Sequence, residues 1–455
     1  MSVIETGLKT KFRKLLLIIL TVLTVFLFLP DQTYATSGST YTIATDMGDL
    51  ANWINPLVIN NSRALARDLQ GNLYAVMNGP GAGGKQNIFL YKSVDNGHTW
   101  TGQAVTTLTD NNFRVNSAIA IDGNDYIHVV WQDCDQNYIC QNYYREFTTS
   151  WQPIVQLTTD PNYGQFAPAI AIDSHNYVHV AWPGKSAASN HWEVRYTKYT
   201  TSWSPVTNLT SNADDYFYYL SIAIDSQDNI HLVFCGNNPD YQNQTQIFYL
   251  KYSGSWQPIV ALTTDDNYFQ ESPSIAIDSN DYLHVVWCGN DQASPVIIQI
   301  RYRKFTTSWQ PIVDVTNDAT YTQYAPAIAV DSNDYLHVVW QAKTATTPNV
   351  WQSKYAKFTT SWQPAEDLTS GSNDQSGQNI IWAMWPKQCN AKWDETKDGF
   401  AFISFDYDTG DVFFYASSDL DWQEQSCPEP TPTPTPASNP TSTLNILPQT
   451  GADLY

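Results

Sequence analysis

The sequence predicts an all-β protein built from repeated four-stranded antiparallel units, and three observations support this prediction. A block with the pattern Ile-Ala-Ile/Val-Asp followed by a His occurs five times, with the His residues 51 to 53 residues apart: His128, His179, His231, His284 and His337. A second marker keeps the same period: Trp151, Trp203, Trp256, Trp309 and Trp362. The repeated blocks show no helical apolar period.

Each repeat is predicted to contain four short strands. In the copy that begins at Pro273, the first two strands are "PSIAID" and "LHVVW", joined by the turn "SNDY". Asn and Asp favour such a turn, and β-branched residues favour the strands. After a variable loop come "IIQIRYRKF", the turn "TTS" and "WQPIVDVT". Four antiparallel strands in about 50 residues are typical of a β-propeller blade, so the sequence predicts a propeller.

Counting the first strands of the repeats predicts seven blades, although the degenerate last repeat leaves six or eight open. The strands lie near Asp68, Asp122, Asp173, Asp225, Asp278, Asp331 and Met384. The last repeat supplies three strands, which end at Trp422. An N-terminal strand, with "WINPLVIN" at 53–60 as the candidate, is expected to add the fourth and so close the ring.

The stretch "SVDNGHTW", Ser93 to Trp100, lies in register with the other tryptophan-marked turns. It resembles the Asp-box (BNR) motif of sialidases and related propellers, and this resemblance covers roughly residues 50 to 425. The resemblance implies that the stretch is the turn between the third and fourth strands of a blade. It would also imply three substrate-binding arginines, a Tyr nucleophile activated by a Glu, and an Asp acid/base.

The sequence does not assemble that sialidase arrangement in full. Arg63, Arg114 and Glu271 are expected near one face. The remaining candidates lie in third strands, away from the axis where a triad would meet: Arg145, Arg195, Arg301 and Arg303. We therefore favour a non-catalytic protein and keep a sialidase-like exo-glycoside hydrolase as the alternative.

Both ends of the chain carry signals for export and attachment. Residues 1–35 have a basic start, an apolar core at 15–28 and a small-residue cleavage site, and they are interpreted as a signal peptide; an uncleaved anchor is the alternative. The propeller is expected to span 36–426, followed by a Pro/Thr-rich stalk at 427–446.

Residues 447–455 contain "LPQTG", which resembles the LPxTG signal of cell-wall sorting. The resemblance implies cleavage by a sortase between Thr450 and Gly451 and attachment to a bacterial cell wall. Only "ADLY" follows, where a sorting signal continues into an apolar stretch and a basic tail. We interpret the segment as truncated, with an accidental motif as the alternative.

Charge and cysteine content narrow the partners further. The net charge is −21, from 23 Lys and Arg against 44 Asp and Glu, so a basic nucleic-acid footprint is missing. No segment after the N-terminal one is predicted to cross a membrane. In an exported protein the six cysteines favour disulfides, with Cys134–Cys140 as the clearest pair. The pairing of Cys235, Cys288, Cys389 and Cys427 stays open.

The repeated His and Asp residues are interpreted as structural. Each repeated His lies in mid-strand, one per blade, and a ring keeps equivalent residues apart, whereas a metal site needs ligands that converge. The repeated Asp residues are interpreted as turn formers. We therefore predict no metal and no cofactor, with calcium bound by these Asp residues as the alternative.

Function is expected where the repeats differ. The second-to-third loops and the fourth-to-first connections vary and share one face, here called the top face. They are rich in aromatic and acidic residues, which suit sugar rings and hydroxyl groups. The sequence predicts that this face binds a glycan or a surface protein, with a structural spacer as a further alternative. The candidate residues are Asp160, Tyr163, Trp192, Tyr216, Asp265, Tyr268, Glu271, Tyr321 and Trp351.

Overall fold

The computed structural model describes residues 39–44, 64–81, 85–186, 191–211, 216–238, 240–343, 350–369, 375–387, 391–406 and 412–416. Within these ranges all regular elements are β-strands, and no helix could span a membrane. The proposed signal peptide, the stalk and the "LPQTG" segment lie outside the described residues, as do Arg63, Cys389 and Cys427.

Six four-stranded antiparallel sheets form successive blades of a propeller, numbered 1 to 6 in chain order. Their first strands, called inner strands because they line the central channel, are β2 (Leu65–Arg67), β6 (Phe113–Ile121), β10 (Ala169–Ile172), β14 (Tyr216–Ile224), β18 (Gln270–Ile277) and β22 (Gln323–Val330). Their second strands are β3 (Leu73–Pro80), β7 (Ile127–Cys134), β11 (Val178–Gly184), β15 (Ile230–Asn238), β19 (Leu283–Gly289) and β23 (Leu336–Ala342).

The outer half of each blade is formed by the two following strands. The third strands are β4 (Gln86–Ser93), β8 (Cys140–Phe147), β12 (Glu193–Tyr199), β16 (Tyr241–Tyr252), β20 (Gln299–Phe305) and β24 (Gln352–Phe358). The fourth strands are β5 (Thr101–Ala104), β9 (Val155–Gln156), β13 (Thr207–Asn208), β17 (Val260–Ala261), β21 (Val313–Asp314) and β25 (Glu366–Asp367). The second strands are almost wholly buried, which explains their unbroken apolar sequences.

A further four-stranded sheet combines the two ends of the described chain, in the order β1-β28-β27-β26. Its strands are β26 (Gln375–Lys387), β27 (Ala391–Asp406), β28 (Val412–Ala416) and β1 (Ser39–Ala44). Strand β1 pairs antiparallel with β28, from Ser39 opposite Ala416 onwards. The strand at this edge is thus 39–44, whereas our candidate segment 53–60 lies outside the described residues.

The fourth strands are shorter than the sequence predicts. In blade 5, for example, Trp309 makes one isolated bridge to Phe305, and the ladder resumes only at Val313. Pro311 lies between them, and proline has no backbone N–H to donate to a ladder. The same Trp-x-Pro spacing in the other tryptophan-marked repeats explains why the predicted strands of about eight residues reduce to short pairs.

Neighbouring blades are joined by the repeated tryptophans. Trp256 of blade 4 packs edge-on against Tyr196 of blade 3, with ring centroids 5.2 Å apart. Equivalent pairs are Tyr144 with Trp203, Tyr249 with Trp309, and Tyr302 with Trp362. The prediction that these tryptophans form the core between blades is therefore confirmed.

The turns between first and second strands form a second connection between blades, on the face opposite the top face. In blade 5, Asp281 has a left-handed backbone with φ of 59°, and its carboxylate accepts hydrogen bonds from the amide and hydroxyl of Ser226 in blade 4. Asp and Asn tolerate this conformation. Equivalent contacts join Asp228 to Ser174 and Asp334 to Ser279. We call this face the bottom face.

The stretch "SVDNGHTW" forms the turn between β4 and β5, also on the bottom face. The carboxylate of Asp95 accepts hydrogen bonds from Ser93 Oγ and from the amide and hydroxyl of Thr99. The Trp100 indole donates to the carbonyl of Gly97 at 2.8 Å and packs against Phe414 of β28. This turn is therefore a self-contained structural unit that contacts the sheet containing β1.

Cys134 and Cys140, the pair selected from the sequence, are bonded with an S–S distance of 2.09 Å. They lie opposite each other at the top-face end of blade 2. Cys235 and Cys288 are buried free thiols. Their equivalent positions in blades 4 and 5 therefore do not bring them into a disulfide.

Candidate functional site

The repeated histidines form hydrogen bonds with residues of their own blades. In blade 5, His284 Nε2 lies 3.1 Å from Asp278 Oδ2, and His284 Nδ1 lies 2.8 Å from the Tyr302 hydroxyl. The other oxygen of Asp278 accepts the amides of Asn280 and Tyr282, which closes the turn. Equivalent Asp-His-Tyr sets occur in blades 2, 3, 4 and 6. The structural interpretation of the repeated His and Asp residues is confirmed.

Burial also makes these histidines poor proton carriers near neutral pH. Desolvation lowers the pKa of His179, His231 and His284 below the usual histidine value, even though the neighbouring carboxylates act in the opposite direction. Although burial opposes ionisation, the hydrogen bond from His284 holds the pKa of Asp278 below its usual value. In blades 3, 4 and 5 the set is thus a neutral imidazole held between a carboxylate and a phenol.

One group of residues on the bottom face has the spacing of a cation site. Single ligand atoms of Asp173, His175 and Asp228 lie within 4.8 Å of one another. The Asp173 carboxylate already accepts from His179 and Lys198, and Asp228 accepts from Ser174 and pairs with His175 at 2.9 Å. The carboxylate oxygens of Asp173 and Asp228 are therefore already used in hydrogen bonds within and between blades 3 and 4. The positive charge of Lys198 beside Asp173 would also repel a bound cation.

On the top face, the inner strands share a local distortion. Five non-glycine residues at equivalent positions have a positive φ of 34° to 55°: Asn116, Ala167, Tyr219, Ser272 and Ala325. In four of the five blades the pairing with the second strand shifts register at this place. A bulge of this kind re-aims side chains and is common beside functional sites.

The residues just before these bulges are also equivalent and partly exposed. They are Val115, Phe166, Tyr218, Glu271 and Tyr324. Inner strands β14, β18 and β22 are neighbours in the ring, so Tyr218 and Tyr324 flank Glu271 from either side. The ring therefore places one carboxyl group between two phenols at the top end of the inner strands.

Glu271 has an unusual electrostatic environment. Burial raises its pKa from 4.5 to about 7, with a smaller opposing effect from a hydrogen bond with the Ser272 hydroxyl. The described ion pairs do not include Glu271. Burial, with a further contribution from Glu271, raises the pKa of both Tyr218 and Tyr219. The site thus holds a carboxyl group that titrates near neutral pH beside phenols that stay protonated.

A row of aromatic rings leads from blade 3 to this carboxyl group. Consecutive ring centroids are 4.7 Å apart for Phe166 and Trp192, 6.0 Å for Trp192 and Tyr216, 5.7 Å for Tyr216 and Tyr218, and 5.0 Å for Tyr218 and Tyr219. Tyr216 is 50 % exposed, which makes it the most accessible ring of the row. We call these rings, together with Glu271 and Tyr324, the top-face patch.

Trp192 and Trp351 have the same role in blades 3 and 6. Lys185 lies 5.3 Å over the Trp192 ring, and Lys343 lies 5.2 Å over the Trp351 ring. Tyr324 packs edge-on against Trp351, as Phe166 packs against Trp192. The equivalent position in blade 2 holds the Cys134–Cys140 disulfide. Each Lys-Trp pair therefore links the second and third strands and also supplies an indole to the top face.

The predicted residues in the connections between blades take part in local hydrogen bonds but do not converge. Buried Gln141 donates to the carbonyl of Tyr163, and Gln246 donates in the same way to the carbonyl of Tyr268. Asp160 and Asp265 accept hydrogen bonds within their own turns. Because Tyr163, Tyr268 and Tyr321 occupy equivalent places in successive connections, the ring spreads them around the top face.

The described arginines, which do not include Arg63, do not form the substrate-binding set that the sialidase resemblance implies. Arg114, predicted near Glu271 as a ligand for a carboxylate, has a fully buried side chain. It pairs with Asp110 at 2.6 Å and with Asp133 at 2.8 Å, so its charge is already compensated. Its acidic partners lie in the preceding connection and on β7, so Arg114 is not available to bind a substrate carboxylate. Arg145, Arg195, Arg301 and Arg303 lie on third strands, as predicted.

The central channel offers little polar chemistry. Its described part has a volume of about 470 Å³ and is lined by short, mainly apolar segments of the six inner strands, with Arg67 as the one charged lining residue described. One alanine per blade lines the wall: Ala66, Ala120, Ala171, Ala223, Ala276 and Ala329. Small side chains let the inner strands crowd around the axis. The described lining of the channel is therefore mostly apolar.

Four of the residues predicted from the sequence lie in or beside the top-face patch: Trp192, Tyr216, Glu271 and Trp351. Several of their neighbours were not predicted. The missed members of the top-face patch are Phe166, Tyr218, Tyr219 and Tyr324, and the missed lysines beside it are Lys185 and Lys343. Alignment of the residues upstream of each Ile-Ala-Ile block would have placed Tyr218, Glu271 and Tyr324 at one position. The shared "WxxK" spacing after the second strands of blades 3 and 6 would have indicated the lysines.

Comparison with known proteins supports the architecture. No family model and no curated protein matches this chain. A polysaccharide lyase, an ulvan lyase bound to -[GlcA(1-4)Rha3S]-, is 11 % identical with a TM-score of 0.56, covering 84 % of this chain and 96 % of that chain. A lectin from Burkholderia pseudomallei is 11 % identical with a TM-score of 0.53, covering 80 % and 98 %. The chain has the propeller fold. At this identity the likeness shows the fold alone.

Proposed function

We propose that the protein is a non-catalytic glycan-binding propeller whose ligand lies on the top-face patch. The observation that carries this proposal is the aromatic row from Phe166 to Tyr219, which ends beside the half-buried carboxyl group of Glu271. Aromatic rings pack against the apolar faces of sugars, and phenol and carboxyl groups bond their hydroxyls. A lectin and a polysaccharide lyase with the same fold are consistent with this function.

A glycan array probed with the full chain tests the proposal. We expect binding to at least one class of glycan, and we expect Tyr216→Ala and Tyr219→Ala each to weaken it about tenfold or more, because each removes an aromatic face. Tyr126→Ala is the matched control, since Tyr126 is a partly exposed tyrosine in a bottom-face turn. Binding that Tyr126→Ala weakens as strongly as Tyr219→Ala would contradict the proposed face.

Other partners are distinguished by the same variants. If the array is empty but a cell-surface protein is captured and lost with Tyr219→Ala, the top-face patch binds protein instead of glycan. If neither binds, the chain acts as a surface spacer.

A catalytic role is the second candidate, and one observation favours it. Glu271, with its pKa raised to about 7 by burial, keeps a proton near neutral pH and lies beside Tyr219, as a general acid in glycan cleavage would. A sialidase mechanism is less suitable, because Arg114 is buried and paired. Turnover of a panel of sialosides and polysaccharides by the wild type, lost in Glu271→Gln, would favour catalysis.

We also propose that the ring has seven blades and that β1 completes the last one. In blades 3 to 6 each repeated Trp packs on a Tyr of the preceding blade, and Trp100 of blade 1 packs in the same way on Phe414, 5.3 Å away on β28. Strand β26 contacts blade 6 through β22. These contacts support a sheet inserted between blades 6 and 1. The turn at 93–100 then fits an Asp-box.

We further propose that the protein is exported and held at a bacterial cell surface through the segment around Thr450 and Gly451. Fractionation of the native cells tests this proposal. We expect the chain in the cell-wall fraction and its release into the medium when the sortase is deleted; an unchanged distribution would contradict a sortase anchor. Calcium is not required for the proposed binding, and a chelator is expected to leave it unchanged.

A further inference from the structure

The Glu271 carboxyl group is surrounded by groups that carry no positive charge. The titratable groups that interact with it are Tyr218 and Tyr219 on β14, Cys235 on β15, Cys288 on β19 and Tyr324 on β22. Burial raises the pKa of all five, so each is neutral near pH 7. The ionised form of Glu271 therefore lacks a compensating cation among the described residues.

This environment differs from that of Arg114, Arg301 and Asp278, three other charged groups in the described part of the chain. Arg114 is paired with two carboxylates, and Arg301 is paired with Asp291 and Asp314. The Asp278 carboxylate is stabilised by His284. A half-buried carboxylate without an oppositely charged partner costs stability, and a cation that arrives with a ligand would remove that cost.

We infer that the ligand of the top-face patch carries an ammonium group, as in a glycan with free or alkylated amino sugars, and that this group pairs with Glu271 among the tyrosine rings. This inference rests on the proposed glycan-binding function and names its substrate class. Aromatic faces attract cations, and carboxylate and rings together form a recognised type of ammonium site. The net charge of −21 also favours the approach of a cation to the protein.

The two lysines beside the patch define the opposite hypothesis, in which the ligand is an acidic sugar. Lys185 and Lys343 lie over Trp192 and Trp351, so an acidic sugar would have to approach those ammonium groups. Both lysines are already in contact with an indole face, whereas Glu271 has no charged partner among the described residues. For this reason we assign the charge recognition to Glu271.

Calorimetric titration of the full chain with three hexasaccharides at pH 8 tests the inference. The probes are N,N,N-trimethylglucosamine oligomer, the N-acetylglucosamine oligomer of the same linkage, and a galacturonate oligomer. We expect the trimethylated probe to bind at least tenfold more tightly than the acetylated one. Glu271→Gln is expected to abolish this preference, and Asp265→Asn, which removes an exposed top-face carboxylate, is expected to retain it.

The outcomes separate this inference from the proposed function. Equal affinity for the two glucosamine-based probes, lost with Tyr219→Ala, would leave glycan binding intact and overturn the ammonium inference. Tighter binding of the galacturonate probe, lost with Lys185→Met, would also overturn it. A preference that survives in a folded Glu271→Gln protein would show that general surface charge, and not Glu271, selects the cation.

Discussion

His284 and Glu271 lie on neighbouring strands of one blade and have opposite surroundings. His284 is buried between Asp278 and Tyr302, and all of its hydrogen-bonding capacity is used. Glu271 is half-buried, and its described side-chain partner is the hydroxyl of Ser272. The first arrangement repeats in blades 2 to 6 and stabilises each of them. The second lies on the top face, and we propose that it binds a ligand.

Replacing Glu271 should show how much its half-buried carboxyl group lowers the free energy of unfolding. In an unfolded chain its carboxyl ionises near pH 4.5, whereas burial delays ionisation in the folded protein to about pH 7. The folded state thus binds the extra proton between these values, so its stability falls as the pH rises through this window. Glu271→Gln should therefore raise the free energy of unfolding by about 1–3 kcal/mol at pH 8 and by little at pH 4.

Denaturant titrations at the two pH values measure this difference. Glu146→Gln is the control, because Glu146 lies at the bottom-face end of β8, away from the top-face patch. Equal stability of Glu271→Gln and wild type at pH 8 would mean that the carboxyl group is well solvated, and the site would then lose its electrostatic basis.

How far the sequence predicts single residues depends on whether they repeat. The roles of His284, Asp278 and Trp309 could be inferred because the same residue returns at the same place in blades 2 to 6. Tyr218, Tyr219 and Tyr324 were missed because they differ from blade to blade and meet Glu271 only across neighbouring strands. The burial of Arg114 depends on Asp110 and Asp133, and no sequence spacing indicates that both reach it.

At the scale of elements, turns on the bottom face hold the ring while bulges on the top face shape the site. The turn residue Asp281 binds Ser226 of the preceding blade, and Asn176 performs the same task for Gly123. The turn type was predictable from the Asn and Asp residues. The contact of this turn with the neighbouring blade was not predictable, because it depends on the angle between adjacent sheets. The shortened fourth strands follow from their prolines, a signal that our prediction of eight-residue strands overlooked.

The inter-blade turn contact predicts a graded effect of substitution. Asp281→Ala should lower the free energy of unfolding by about 1–3 kcal/mol, because it removes two hydrogen bonds to Ser226 and places alanine at a φ of 59°. Asp281→Asn should cost less than about 1 kcal/mol, since Asn176 occupies the equivalent place in blade 3. Chemical denaturation measures both variants. A loss in Asp281→Asn equal to that in Asp281→Ala would contradict the assigned role of the turn.

At the scale of the whole molecule, the two ends of the described chain meet in one sheet. Trp100 of blade 1 packs against Phe414 of β28, at a ring-centroid distance of 5.3 Å. The strand Ser39–Ala44 pairs with β28 from the other end of the described chain. The sequence predicted such a partner strand but placed it at 53–60, because "WINPLVIN" resembles the repeated "WQPIV" more closely than "STYTIA" does.

Two turn glycines provide a matched test of the packing of blade 1 against Phe414 of β28. A Cβ at Gly97 would lie 2.2 Å from the Phe414 ring, whereas a Cβ at Gly254 would meet nothing within 4 Å; φ is 89° and 79° respectively. Gly254→Ala should therefore cost only the backbone strain of about 1–2 kcal/mol. Gly97→Ala should cost about 1–3 kcal/mol more, because Phe414 must move. Equal losses in thermal or denaturant unfolding would mean that blade 1 does not pack on β28.

The most direct test of the central claim is the position of a bound glycan in a crystal structure of the full chain with its tightest array ligand. The account predicts sugar density on the top-face patch, in contact with Tyr216 and Tyr219 and with a polar group within hydrogen-bond distance of Glu271. Density confined to the central channel or to the bottom-face turns would contradict it.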